Sequence, residues 1–197
     1  PTPQEKKYDV IYHGGIHGEE HIDCLKVMSN FNYRYCTMTH NINRLTDHIG
    51  SKYATNFDLP FQEKINLIAK TKTSVCYNLV HLAPSHVEGI KSYDNWSENE
   101  AFSNIDDLNF MPQFKTRMHE AAISKTINLV YKDNWNIAEK YYEPDKDFLY
   151  FSNSYELHKI IHDVTNDWQN YQEIVENAYN KAMNYTCEKF IEQIRKG

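Results

Sequence analysis

The sequence is short of glycine and cysteine, and it has no long basic or apolar run. It contains 6 glycines and 4 cysteines in 197 residues, and its formal net charge is −6. Because a protein that binds duplex nucleic acid must neutralise phosphates with clustered Lys and Arg, we expect no nucleic-acid partner. No apolar stretch has the length of a membrane span, and no signal peptide is recognisable at the start. We therefore expect a protein without a membrane-spanning segment.

The cysteines are too dispersed to form a recognisable disulfide or zinc motif. None belongs to a C-x-x-C pair, and each lies in a segment that reads as helix or strand: Cys24, Cys36, Cys76 and Cys187. Buried thiols are therefore expected, and they favour a reducing compartment, the cytoplasm. Hydrophobic residues make up 41% and aromatic residues 14% of the chain. This composition predicts one globular domain over residues 1–197, whose polar first residues are consistent with excision from a longer polypeptide.

Strands and helices alternate along the chain, which predicts an α/β fold, a Rossmann-like parallel sheet with helices on both faces. Apolar runs predict strands at residues 8–13, 33–40, 73–80, 127–131 and 148–151. Helical spacing and start signals predict helices at residues 19–30, from 60 onward, 110–125, 136–142, 154–164 with Ser154 as the cap, and 168–195 with a break near Asn184. A long acidic connection occupies residues 81–109. Ligands of such sheets bind beyond the carboxyl ends of the strands, so we expect the site at that edge.

A glycine-rich turn follows the first strand, with the sequence Gly14-Gly15-Ile16-His17-Gly18. Because a helix is predicted to follow, the backbone N–H groups of the turn and of the helix N-terminus can face an anion. The alternative is a tight turn that only needs small residues. The turn matches neither G-x-G-x-x-G nor the G-K-[ST] of a P-loop, which disfavours a nicotinamide-dependent oxidoreductase. His17 is a candidate general base, because the pKa of a histidine lies near neutral pH. The alternative is a solvated loop residue.

The segment before the fourth predicted strand carries Arg117 and Glu120, three residues apart. On a helix this spacing places a guanidinium and a carboxylate on one face. Arginine binds phosphate oxygens bidentately, and a carboxylate accepts hydrogen bonds from sugar hydroxyls, so the pair suits a nucleoside diphosphate. The alternative is an ordinary exposed ion pair on an amphipathic helix.

Several short motifs follow one another along nearly the whole chain. They are Gly14-Gly15 after the first strand, the central Arg117-x-His119-Glu120-Ala121-Ala122, Asn128-Leu129-Val130, Tyr142-Glu143-Pro144-Asp145, Glu156-Leu157 and Asn177-Ala178-Tyr179. In this order they resemble the carboxyl-terminal, donor-binding half of GT-B glycosyltransferases, in particular the group-1 and spore-protein-like sets. The richness in Tyr and Asn is also similar to glycosyltransferase domains of giant viruses.

The resemblance implies a domain that binds a nucleotide sugar. By position it implies that Gly14 and Gly15 face the diphosphate. Arg117 would neutralise the diphosphate, with help from Lys115 or Lys125. Glu120 would hold the ribose hydroxyls, and Asn78 would lie near the base or ribose. Neutralising the leaving diphosphate stabilises charge that develops during transfer. Enzymes of this class need no divalent metal. We therefore expect no cofactor and no metal site.

The implied reaction is transfer of a hexose or deoxyhexose such as rhamnose from a UDP-linked donor to a glycan hydroxyl. Many retaining members carry a second glutamate eight residues after the first, and Asn128 occupies that position, which favours inversion. GT-B enzymes use two domains, so the chain is expected to be either one domain of a longer protein or a compact enzyme. A homodimer would cover the cleft that a single domain leaves exposed. Candidates for the catalytic base are His17, Glu19 and Asp47. The alternative is a non-catalytic module that binds a nucleotide or serves as a scaffold.

Overall fold

The computed structural model describes residues 4–15, 19–37, 54–57, 59–82, 110–186 and 189. Its centre is a parallel sheet of six described strands: β1 (Tyr8–His13), β2 (Tyr33–Thr37), β3 (Ala54–Phe57), β4 (Thr71–Cys76), β7 (Ile127–Tyr131) and β8 (Phe148–Phe151). Two further strands pair with each other in an antiparallel ladder: β5 (Leu79–His81) and β6 (Phe110–Pro112). The expected α/β architecture is confirmed.

The order of the strands shows where a ligand site is expected. The sheet runs β3-β2-β1-β4-β7-β8, so the chain winds outward in one direction from β1 and in the other from β4. Such a reversal leaves a crevice at the carboxyl ends of the two central strands, and doubly wound sheets bind their ligands there. The residues that follow β1 and β4 therefore lie at the edge where the sequence predicts the site.

Helices cover both faces of the sheet. The α-helices are α1 (Glu19–Leu25), α2 (Phe61–Ala69), α3 (Arg117–Ile123), α4 (Ser154–Asn166) and α5 (Gln172–Ala182), and short 3-10 helices occupy Lys26–Asn30, Ile137–Lys140, Trp168–Tyr171 and Met183–Tyr185. Alternate residues of β1 point to opposite faces. Val10 and Tyr12 pack in one core cluster with Ile161 of α4, whereas Ile11 packs in another with Ile65 of α2. No helix in the described part of the chain is long and apolar enough to cross a membrane.

The predicted helix over residues 110–125 is wrong in its first half. Phe110–Pro112 forms β6, and α3 begins only at Arg117. Asn78 explains the difference, because its backbone oxygen accepts from Gln113 N at 2.8 Å and its Oδ1 accepts from Lys115 N at 3.0 Å. These N–H groups are bonded to the segment after β4 and are not bonded within a helix.

Other predicted bounds also change. Ser154 is not the cap of α4, since the side chain of Asn153 accepts from Glu156 N at 3.0 Å while the Glu156 carboxylate accepts from Ser152 N at 2.7 Å. The predicted break near Asn184 is confirmed by the 3-10 helix there. The sequence predicts no strand at β3, and the strand predicted at residues 73–80 is divided into β4 and β5. Most of the connection predicted at 81–109 lies outside the described residues.

Candidate functional site

At the carboxyl end of β1 the chain turns sharply at Gly14. Its backbone φ is +153°, a conformation that residues with a side chain rarely adopt, and its N–H donates to Cys36 O at 2.9 Å. A Cβ atom at this position would overlap the guanidinium of Arg117. The turn therefore requires glycine for two reasons, its conformation and the close approach of the arginine at the start of α3.

Tyr12 joins this turn to Arg117. Its hydroxyl donates to Gly15 O at 2.7 Å and accepts from Arg117 Nη1 at 3.1 Å. The guanidinium carbon lies 5.4 Å from the centre of the Tyr12 ring, which permits a cation–π interaction. Burial raises the pKa of Tyr12, so the phenol keeps the proton that it donates to the turn. One buried hydroxyl thus orients both the glycine turn and the arginine.

Glu120 lies one turn further along α3 and has different partners. Its Oε1 is 2.7 Å from Lys64 Nζ of α2, and its Oε2 is 3.3 Å from His13 Nδ1. The other ring nitrogen of His13, Nε2, is 3.0 Å from Ser74 Oγ of β4. Within the described structure Arg117 and Glu120 do not pair with each other, so the alternative of an exposed ion pair between them is wrong. Each is held by its own set of contacts.

The protonation states follow from these contacts. Burial alone would raise the pKa of Glu120, but the hydrogen bonds from His13 and Lys64 outweigh burial and lower the pKa to about 2. Burial lowers the pKa of His13, although the Glu120 carboxylate opposes that shift. At neutral pH the site therefore contains a charged carboxylate next to a neutral imidazole.

Lys115 adds a second positive charge beside Arg117. Its ammonium contacts the Gln113 side chain just before α3. Burial first, and then the charge of Arg117, lower the pKa of Lys115. Two like charges that repel each other at the carboxyl edge of a sheet would be stabilised by an anion.

The structure brings together five of the residues predicted for the site: Gly14, Gly15, Lys115, Arg117 and Glu120. Glu19 opens α1, and only its backbone is described. His17 and Asp47 lie outside the described residues. The roles of these candidates for the catalytic base stay predictions.

Asn78 lies at the predicted edge, just after β4, but its side chain is enclosed, whereas Lys125 lies elsewhere than predicted. Asn78 is fully buried, and its Nδ2 lies 3.2 Å from Met118 Sδ while its Oδ1 accepts from Lys115 N, so it holds the start of α3. Lys125 follows α3 at the amino ends of the strands, where its Nζ lies 2.5 Å from Glu176 Oε1. It is therefore at the opposite edge of the sheet from Arg117.

Four side chains of the site were missed by the sequence analysis: Tyr12, His13, Lys64 and Ser74. The position of the first two, directly before the glycine turn, was a signal that could have identified them, because the last residues of a strand lie at the edge of the sheet. The other two carry no local signal. They occur within an ordinary amphipathic helix and an ordinary buried strand, and only the sheet order brings them here.

Comparison with known proteins gives both a family and a fold. Residues 50–196 match a protein family described as glycosyl transferase-like. No curated protein sequence matches the chain. HepE from Anabaena, in complex with UDP and glucose, is similar in structure with a TM-score of 0.60 and 15% sequence identity, over 95% of this chain and 47% of that chain.

Two further solved structures have the same fold. A DNA-modifying β-glucosyltransferase, studied with and without uridine diphosphoglucose, has a TM-score of 0.62 at 13% identity, over 98% of this chain and 51% of that one. A TarM variant from S. aureus, in complex with fondaparinux, α-GlcNAc-glycerol and UDP, has a TM-score of 0.59 at 12% identity, over 100% and 36% of the two chains. The chain thus spans about half, or less, of the length of these structures.

Proposed function

The chain belongs to the glycosyl transferase-like family, and we propose that it is the donor-binding half of a GT-B glycosyltransferase that uses a nucleoside diphosphate sugar. One observation carries the proposal. Arg117 and Glu120 are held apart at the switch point of the sheet, the first by Tyr12 and the second by His13 and Lys64. A cation and an acceptor in fixed positions match the two parts of a nucleoside diphosphate, its phosphates and its sugar hydroxyls.

The diphosphate would bind between the glycine turn and the start of α3. Gly14 lets the Arg117 guanidinium approach the backbone of the turn closely, and Arg117 presents a planar fork of N–H donors that suits phosphate oxygens. Lys115 supplies a second charge nearby. As the bond to the sugar breaks, negative charge develops on the leaving diphosphate, and these two cations would stabilise it. For this reason we propose that the reaction needs no divalent metal.

The ribose would bind at Glu120. An ionised carboxylate offers about four acceptor positions on its two oxygens. Lys64 and His13 each use one, on different oxygens. Among the described residues no other group uses these oxygens, so one position on each stays available, which fits two neighbouring hydroxyls of a ribose. The pKa of about 2 keeps Glu120 an acceptor at any pH where the protein is expected to work.

We further propose that the donor is a UDP-linked hexose or deoxyhexose, such as rhamnose, and the acceptor a glycan hydroxyl. The structures of HepE, TarM and the β-glucosyltransferase contain UDP or were studied with UDP-glucose, which supports the choice of nucleotide. Inversion is proposed because Asn128, where retaining relatives carry a glutamate, is fully buried and donates to Met118 O at 2.9 Å. His17, Glu19 and Asp47 stay candidates for the catalytic base, and the acceptor site is left to other parts of the polypeptide or to residues outside those described.

A screen of the chain against UDP, GDP, ADP, TDP and their sugar conjugates tests the proposal. A ligand that binds only the native state raises the melting temperature by mass action. We expect a shift with UDP and UDP-sugars that is unchanged by EDTA and smaller in Glu120→Ala. A shift abolished by EDTA would contradict metal independence. No shift with any of these ligands would favour the second candidate function, a scaffold module that keeps the fold without its donor.

A further inference from the structure

We propose that His13 is a positioning residue that presents the Glu120 carboxylate to the ribose, and that Ser74 fixes the tautomer in which it does so. The inference rests on the proposed function, since it takes Glu120 to be the acceptor for the ribose hydroxyls. His13 would not touch the donor. It would act through Glu120 alone.

The tautomer follows from the partners of the ring. A neutral imidazole has one N–H and one acceptor nitrogen. His13 Nδ1 faces a carboxylate, which can only accept, so Nδ1 must carry the proton. Nε2 then has a free lone pair, and it lies 3.0 Å from Ser74 Oγ, whose hydroxyl can donate to it. Because Ser74 is fully buried and His13 is 4% exposed, water does not compete for either nitrogen.

The two donors to Glu120 differ in rigidity. Lys64 reaches Oε1 from a long, flexible stem and is 25% exposed, so it supplies charge with little control of orientation. His13 belongs to a central strand, and its ring is buried between that strand and α3. The imidazole therefore sets the plane of the carboxylate, and this plane decides which acceptor positions face the open edge of the sheet.

Two consecutive residues of β1 position the groups that contact different parts of the ligand. Side chains alternate between the faces of a strand, so Tyr12 and His13 leave β1 on opposite sides. Tyr12 meets Arg117, and His13 meets Glu120. A defect at Tyr12 should therefore weaken binding of the diphosphate, whereas a defect at His13 should weaken binding of the ribose. This difference allows a selective test.

The test compares UDP with 2′,3′-dideoxy-UDP, which keeps the base and diphosphate but lacks both ribose hydroxyls. Calorimetry gives the ratio of the two dissociation constants, and for the wild-type chain we expect a ratio of about ten or more. In His13→Gln the side-chain amide lies near the former Nε2 and cannot reach Glu120, so the ratio should fall to about two or less. In His13→Asn the amide nitrogen lies where Nδ1 was, so the ratio should be retained.

Two further variants separate positioning from structural damage. Tyr12→Phe removes only the hydroxyl that orients Arg117, so it should weaken both ligands by the same factor and leave the ratio at its wild-type value. Ser74→Ala frees the His13 tautomer, so its ratio should fall between those of the wild type and His13→Gln. General loosening of the fold would change both dissociation constants together and would leave every ratio unchanged.

The outcomes distinguish a failure of the proposed function from a failure of the role proposed for His13. If the wild-type chain binds neither nucleotide, or binds both equally, the assignment of Glu120 to the ribose and with it the proposed site is overturned. If the wild-type ratio is high and His13→Gln keeps it, the proposed function stands and the role of His13 is overturned. Binding of dideoxy-UDP reports that a variant is folded. If neither His13 variant binds dideoxy-UDP, the ratio of dissociation constants in Ser74→Ala is the deciding measurement. A ratio equal to that of the wild type would overturn the inference.

Discussion

The two edges of the central sheet each hold a partly buried lysine, but in different surroundings. At the amino edge Lys6 Nζ contacts the backbone oxygens of Ala69, Thr71 and Lys125 and the hydroxyl of Thr126, at distances between 2.6 and 3.2 Å. At the carboxyl edge Lys64 meets a single carboxylate oxygen among the described residues. An ammonium has three N–H donors, so within the described structure the first lysine is saturated by neutral groups and the second is not.

This difference separates a structural contact from a binding site. The acceptors around Lys6 come from the ends of helices and strands, so this lysine joins α2, β4 and the start of β7. Arg117 has five N–H donors, and a single hydrogen bond to another described residue, Tyr12, is seen. N–H donors that lack a described partner and lie beside a glycine turn are available to a ligand. N–H donors that already have acceptors in the fold serve a structural role.

The largest expected effect comes from comparing the loss of UDP binding when one cation is removed at each edge. Arg117→Ala should weaken UDP binding about a hundredfold or more, because a charge-assisted, bidentate contact with the diphosphate is lost. Lys125→Ala, which removes a partly exposed ion pair with Glu176 at the amino edge, should leave the dissociation constant unchanged. Calorimetry on both variants checks this. Equal losses would show that the edges are not functionally distinct.

A second prediction concerns the stability of the carboxyl edge at low pH. The pKa of Glu120 is lowered from an ordinary value of 4.5 to about 2, so its contribution to stability is present above pH 4.5 and is lost as the pH falls towards 2. The difference in unfolding free energy between wild type and Glu120→Gln should shrink by on the order of 3 kcal/mol over that interval. Urea unfolding at several pH values measures it. A difference independent of pH would contradict the ion pair with Lys64.

A third, smaller effect is expected at the glycine turn. Gly14→Ala should reduce stability by about 1–3 kcal/mol, because the backbone φ of +153° is unfavourable for alanine. The new methyl group would also displace the Arg117 guanidinium, so UDP binding should weaken as well. Thermal unfolding and calorimetry measure the two effects. Gly15→Ala is the neighbouring control, and an effect on binding equal to that of Gly14→Ala would argue against the close approach of Arg117.

The smallest effect on binding is expected at the amino edge. Lys6→Met keeps most of the apolar stem but removes the donors to three backbone oxygens, so the unfolding free energy should fall by about 1–3 kcal/mol. The affinity of the folded protein for UDP should not change. Chemical denaturation and calorimetry check both statements. Weaker UDP binding at a temperature where the variant is fully folded would mean that the two edges are coupled.

Much of the fold could be predicted from local pattern. Most of the apolar strands and amphipathic helices are where the sequence indicates them, because burial on both faces of a parallel sheet leaves continuous hydrophobic runs. The spacing of Arg117 and Glu120 likewise predicted two residues that lie at the candidate site, and their roles there stay predictions. The contacts that hold them could not be read in the same way, since Tyr12, His13 and Lys64 reach α3 only because β1, β4 and α2 are neighbours in space.

The wrong predictions have physical causes of the same kind. The resemblance implies by position that Lys125 assists Arg117, but α3 separates the two residues and they lie at opposite edges of the sheet. The helix predicted from residue 110 ignored Asn78, whose buried amide bonds the segment before α3. Ser154 was chosen as the cap although Asn153 is an equally good cap by residue type. In each case a tertiary contact decided between alternatives that are locally equivalent.

The link between Tyr12 and Arg117 also has a kinetic consequence. These residues are 105 positions apart, and Lys64 and Glu120 are 56 apart. Contacts between such distant segments form only after the intervening chain has been brought together, so they are slow compared with the formation of single helices. The site is therefore complete only when β1, β4 and α3 have assembled. A fluorescent nucleotide added during refolding should become bound at the rate at which the sheet is completed, and not earlier.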